Sequence, residues 1–182
     1  MLAVLRFIGL VNAAVWFGAA LFFTIAVGPA FFSQGMIVIF GGDTAPYSKA
    51  YAGLAAMVVM ERYFLWLNIC GTIAVVQGVA EAAYQGLPLK QTRNILAVIL
   101  LAISLLGGFW LQPKMKGLQA AKYHPQATPA QREAAAKTFG AWHGVSQAAN
   151  LLMTIGLLAF FWQTAASRSR DSMSTNPFVY RG

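Results

Sequence analysis

Four stretches of this chain stay apolar long enough to cross a bilayer, and that restricts the fold more than any short motif does. A spanning helix needs roughly 20 mainly apolar residues, because about 30 Å of hydrocarbon is crossed at about 1.5 Å per residue. Phe7–Val27, Tyr63–Ala83, Ile95–Leu111 and Gly144–Trp162 are the four candidates. The first is bounded by Gly28-Pro29 and the third by Gln112-Pro113, where proline removes a backbone donor and is expected to end the helix. Composition agrees. Only 10% of the 182 residues are charged and 58% are hydrophobic, against about a quarter charged in soluble domains.

The expected fold class is therefore all-α: an integral membrane four-helix bundle over residues 1–166, followed by a polar tail at 167–182. The first run follows a single Arg6, exceeds a signal-peptide core and has no clear cleavage site, so it is expected to be a retained span. "QGLPLKQTR" joins the second and third spans tightly and makes them antiparallel neighbours. The other two connections are longer and lie on the opposite side. Before the second span, "GGDTAPYSKAYAGLAAMVVMERYF" predicts a cap at Asp43 or Thr44 and Pro46 in the first turn. A helix from there to Ala83 would be roughly 55 Å long. Before the fourth span, Thr128, Pro129 and Gln131 form a capping-box pattern. The helices should thus extend beyond the bilayer on one side, and no sequence repeat is evident.

Charge leaves the orientation open. The side of the termini holds Arg6, Lys90, Arg93, Arg168, Arg170 and Arg181; the other holds Lys49, Arg62, Lys114, Lys116, Lys122, Arg132 and Lys137. Membrane-flanking cations account for the formal charge of +8, and no basic stripe with interleaved aromatics points to nucleic acid. The expected location is the cell membrane, plasma or inner, with lipid and other membrane proteins as partners.

One segment carries unusual polarity into its span. In "TFGAWHGVSQAANLLMTIGLL", His143, Ser146, Gln147, Asn150 and Thr154 recur at a spacing that puts them on one helical face. Lipid cannot pair such groups, so this face should turn into the bundle, either as interhelical glue or as an internal ligand site. Asn12 and Trp16, four apart in the first span, are its expected neighbours. Asn68 with Thr72, Gln77 with Glu81, and the slim ridge Ser104-Gly107-Gly108 offer further polar or close-packing positions, and Glu61-Arg62 reads as a charge pair at a membrane boundary.

Several local patterns resemble the transmembrane protein 205-like family. "FGAWHGVSQAANLL" resembles its last-span signature, "GFWLQPKMKGL" its segment after the third span, and "WFGAALFFTIAVGPAFF" and "ERYF" its first span and the entry to its second. Gln112 stands where an acid is common in that family. The resemblance implies four membrane helices and no defined reaction.

The chemistry classes narrow accordingly. No acid accompanies His143 and Ser146 in the stripe, so no catalytic triad is expected. His124 lies in a polar connection, which disfavours paired haem ligation; a single axial haem or chlorophyll ligand at His143 stays open. Met57, Met60, Cys70, Met115 and Met153 lack the close spacing a copper site needs, no other metal site is expected, and lone Cys70 permits no internal disulfide. Two functions survive: a non-catalytic accessory or structural subunit, and a carrier of small solutes or ions, metal ions among them. Broken mid-membrane helices, internal repeats or a buried charge would mark the carrier, and their absence from the sequence favours the subunit.

Overall fold

The structure, a computed structural model, describes residues 2–45 and 47–174, with side chains through Ala166. Four helices are long and apolar enough to cross a membrane: α1 (Leu2–Phe31), α3 (Ser48–Gln85), α4 (Thr92–Lys122) and α5 (Pro129–Ser174). A short helix, α2 (Gln34–Ile39), is capped by the Ser33 hydroxyl and lies between α1 and α3. α1 and α4 each pack against both α3 and α5, so they occupy opposite corners of a four-helix bundle. Facing pairs give the directions: Phe23 stacks on Tyr63 while Gly9 lies against Gln77, and Phe17 stacks on Phe161 while Thr24 meets Asn150. Neighbours are antiparallel throughout. This is an integral membrane helical bundle.

Small residues set the spacing. Trp16, fully buried, lies against Gly71, and its ring meets Phe160 edge-on at 5.8 Å. Phe64 occupies the space a side chain at Gly107 would need, and Leu100 does the same at Gly156. Such close approach supplies the van der Waals contact that holds helices together where lipid is as apolar as their side chains.

The prolines do not end their helices. In α1 the turn Phe23–Val27 widens so that Gly28 N–H donates five residues back, to the Phe23 carbonyl. In α4 the turn Gly107–Leu111 does the same, with Gln112 N–H donating to the Gly107 carbonyl. A π-type turn makes room for the ring and missing donor of a proline one residue further on. The expected helix ends at Val27 and Leu111 are corrected accordingly: both helices run past Pro29 and Pro113.

The two widened turns also reveal a repeat that residue identities hide. Ala13, Trp16, Ala20, the turn Phe23–Val27 and Pro29 correspond to Ala97, Leu100, Ser104, the turn Gly107–Leu111 and Pro113, each 84 positions later. All six of the core residues in that set are buried. In the second helix of each half, Cys70, Ala74, Gln77 and Glu81 correspond to Met153, Leu157, Phe160 and Thr164, 83 positions later and likewise buried. The one-residue difference falls where Thr44-Ala45-Pro46 stands against Thr128-Pro129. Each half thus contains a proline-widened helix and, after it, a long unbroken one, and the halves run in the same direction.

Capping divides the two connections. Thr128 and Gln131 exchange side chain to backbone bonds at 3.3 and 2.9 Å, the reciprocal box expected. α3 instead starts at Ser48 without a side-chain cap, and Asp43 accepts from Gln34 at 2.6 Å; this corrects the expected cap at Asp43 or Thr44. The expected first-turn Pro46 lies outside the described residues. C-terminally, Gly86 adopts φ 64° and closes α3.

Candidate functional site

The polar stripe of α5 meets the rest of the bundle at Asn150. Its amide Nδ2 donates to Thr24 Oγ1 at 2.7 Å, and its Oδ1 accepts from the Tyr63 hydroxyl at 3.0 Å. Thr24 in turn donates to the Ala20 carbonyl at 2.7 Å. The relay therefore runs from Tyr63 on α3 through Asn150 on α5 to the backbone of α1, with every donor used in one direction. Thr24 lies within the widened turn of α1, and Phe23 beside it stacks on Tyr63 with ring centroids 4.0 Å apart.

A second polar contact faces the other widened turn. Ser104 Oγ donates to Asn68 Oδ1 at 2.5 Å, one turn before Gly107–Leu111 and with Gly108 packed beside Asn68. Further along, Glu61 accepts from Lys116 at 2.9 Å and from the Gln112 amide at 3.3 Å. Glu61 is thus partnered across to α4, which corrects its reading as a pair with Arg62. The amide at position 112 donates to a carboxylate, where an acid would oppose it.

Towards the other end, a buried charge appears. Glu81, 4% exposed, accepts from Gln77 at 2.5 Å and pairs with Arg93 at the start of α4. An intramembrane ionisable side chain is costly unless paired, so Arg93 and Gln77 are what make Glu81 tolerable there.

The remaining expected site residues scatter over several levels. Asn12 is buried and donates to the Cys70 carbonyl at 2.9 Å. Trp16 sits in the apolar core, its indole N–H buried without a hydrogen-bond partner. His143 is half-buried, stacked on Phe139 at 5.9 Å and edge-on to Phe32 at 5.5 Å. Ser146 and Thr154 return their hydroxyls to their own helix, to the carbonyls of His143 and Asn150. Gln147 is exposed. The buried positions Met153, Leu157, Phe160 and Thr164 show why: they centre the packed seam of α5 to one side of the stripe, leaving Gln147 on its outer flank.

The expected grouping of His143 and Asn150 with Asn12 and Trp16 is therefore corrected. Asn150 meets Thr24 and Tyr63, two residues missing from that grouping. Tyr63 stands in "ERYF", but a tyrosine and a threonine in apolar runs give no signal of a shared bond. Among the described residues, no three of His, Cys, Asp and Glu gather closely enough to hold a metal ion.

Fold and polar layers define a class: an α-helical integral membrane protein built from two similar helix pairs. Residues 11–124 match the family described as a domain of unknown function (DUF4149), well over half of the chain, and the protein belongs to that family. The matched stretch includes both widened turns, Asn12, Thr24, Tyr63 and Glu81, and stops short of α5. No match was found among curated proteins or among solved structures.

Proposed function

We propose that this protein is a non-catalytic membrane subunit or accessory factor of the cell membrane, plasma or inner, that acts by packing against other membrane proteins. The carrying observation is that Asn150, the polar side chain of the stripe that reaches two other helices, is bonded on both sides to its own bundle, by Tyr63 and Thr24. Its hydrogen-bonding capacity serves helix association, worth about 0.6 kcal/mol per bond on average. The motifs of α5 and of the segment after Gly107 further support a finer placement beside the transmembrane protein 205-like proteins.

A carrier is the second reading, and specific observations favour it. Parallel repeats with proline-interrupted helices in corresponding positions are a recurring plan of transporters, and Glu81 supplies a buried charge. Cross-linking in native membranes and flux into sealed vesicles separate the two readings. The subunit reading expects one reproducible cross-linked partner and no saturable flux. Saturable flux of an ion or small solute, abolished by Asn150→Ala in a folded protein, would overturn it.

A further inference from the structure

The repeat serves as an internal control on the surface. Ala30, Phe32, Val38 and Leu54 of the first half correspond in position to Lys114, Lys116, Lys122 and Lys137 of the second. Register is shared, although the first half breaks at Ser33 where α4 runs unbroken to Lys122; chemistry is opposite. Phe32, Val38 and Leu54 are exposed at 59%, 61% and 48%. α2 itself carries no charged residue, and Ile39 at its end is 74% exposed.

These residues are no isolated patch. On α3, Tyr51, Leu54, Val58, Leu65, Ile69, Ile73 and Val76 are all exposed and follow one face. From Tyr51 to Val76 that face climbs about 37 Å at 1.5 Å per residue. On α4 the corresponding outward apolar stretch, from Ile95 to Trp110, climbs only about 23 Å before Lys114 and Lys116. A hydrocarbon layer of about 30 Å is too thin for one side and too thick for the other.

Ring contacts mark where the shorter side stops. Trp110 and Trp142 meet edge-on at 5.4 Å, and Lys114 Nζ sits 3.6 Å above the Trp142 ring. Paired tryptophans with a lysine are the chemistry of a headgroup boundary. On the α3 side at this height the exposed Glu61, bonded across to Lys116, and Arg62 interrupt the apolar surface for one turn only: Val58, one turn beyond, is 62% exposed. Arg62 lies on that face as well, long enough to reach headgroups along an apolar wall.

We infer that α2 and the outer face of α3 from Tyr51 to Val58 are seated in lipid, at the boundary of acyl chains and headgroups, while the lysine-bearing ends of α4 and α5 at the same height stand in water. The occupant is the bilayer because the apolar face resumes on both sides of the single Arg62 and runs on into the lipid-facing belt of α3. The protein is therefore wedge-shaped in its contact with the membrane, and must tilt or locally deform the bilayer.

Spin labels placed singly at Val38→Cys, Leu54→Cys, Lys122→Cys and Lys137→Cys, in a Cys70→Ala background reconstituted in phosphatidylcholine–phosphatidylglycerol vesicles, test this. Accessibility to oxygen should exceed that to a water-soluble nickel chelate at 38 and 54, and the order should reverse at 122 and 137. Nickel accessibility at 38 and 54 equal to that at 122 and 137 would overturn the inference. Exclusion of both reagents at 38 and 54 would overturn it too, assigning the face to a second copy of the chain. For the unaltered protein, a lipid with a photoreactive acyl chain should label residues 32–40 and 51–58. Labelling confined to α1, α4, α5 and residues 63–79 would contradict it.

Discussion

The two halves of the molecule solve one backbone problem twice and then part company. In each, a proline is carried through a spanning helix by a widened turn, and three core positions preceding it are buried in the same register. Side chains at those positions differ freely: Trp16 against Leu100, Ala20 against Ser104. What is held in common is geometry, and what varies is how each half fills it. The first half places its large aromatic, Trp16, on the widened helix and closes with a buried charge, Glu81; the second places its large apolar groups, Met153, Leu157 and Phe160, on the long helix and closes with Thr164.

That difference is open to mutation, and the largest effect is expected at the charge. Glu81→Ala strands Arg93, whose side chain is 15% exposed beside a carboxylate at 6%; removing one partner of a buried pair costs about 3–5 kcal/mol. Thr164→Ala, its counterpart, removes a hydroxyl that bonds the Phe160 carbonyl and should cost about 1 kcal/mol or less. Unfolding in mixed micelles would measure both. Equal losses would break the contrast between the halves.

Next in size is the core pair. Trp16→Ala should destabilise by about 3–5 kcal/mol and Leu100→Ala by about 2–5, since each opens a cavity in a packed seam. Trp16 has no hydrogen bond to lose, so its loss should track volume: Trp16→Phe should restore most of it. Failure of phenylalanine to restore stability would mean the indole N–H has a role that the packing does not reveal.

Glycines sharpen the comparison further, because here the sign changes. Gly107→Ala puts a methyl into the Phe64 ring, whereas Gly117, also in α4, has open space around it. The first should destabilise by about 1–3 kcal/mol, and the second should stabilise by about 0.5–1 kcal/mol through helix propensity. Thermal unfolding in detergent reads both, and a stabilising Gly107→Ala would refute the close α3–α4 approach.

Much of this fold was legible because hydrocarbon imposes length and apolarity on any span, and because capping chemistry is local: Thr128 and Gln131 bond as their spacing implies. The continuation past Pro29 and Pro113 was not, since a proline rule counts the lost donor and cannot foresee a turn that widens to absorb it. The repeat was equally hidden, because burial is conserved between halves while Trp16 and Leu100 share only apolarity. At the candidate site, spacing alone put His143, Gln147 and Asn150 on one face. Which part of that face turns inward depends on where α1 and α3 sit, and that information is not in α5.

The central claim is that Asn150, the amide of α5 that bonds to both α1 and α3, closes the bundle on itself. A double-mutant cycle on Tyr63→Phe and Asn150→Ala, measured by reversible unfolding and accompanied by a vesicle flux assay, addresses it directly. The account predicts a coupling of about 0.6–1.7 kcal/mol between the two positions and no saturable flux in any member of the cycle. Two independent losses with no coupling, together with a solute flux that Asn150→Ala removes from a fully folded protein, would contradict it.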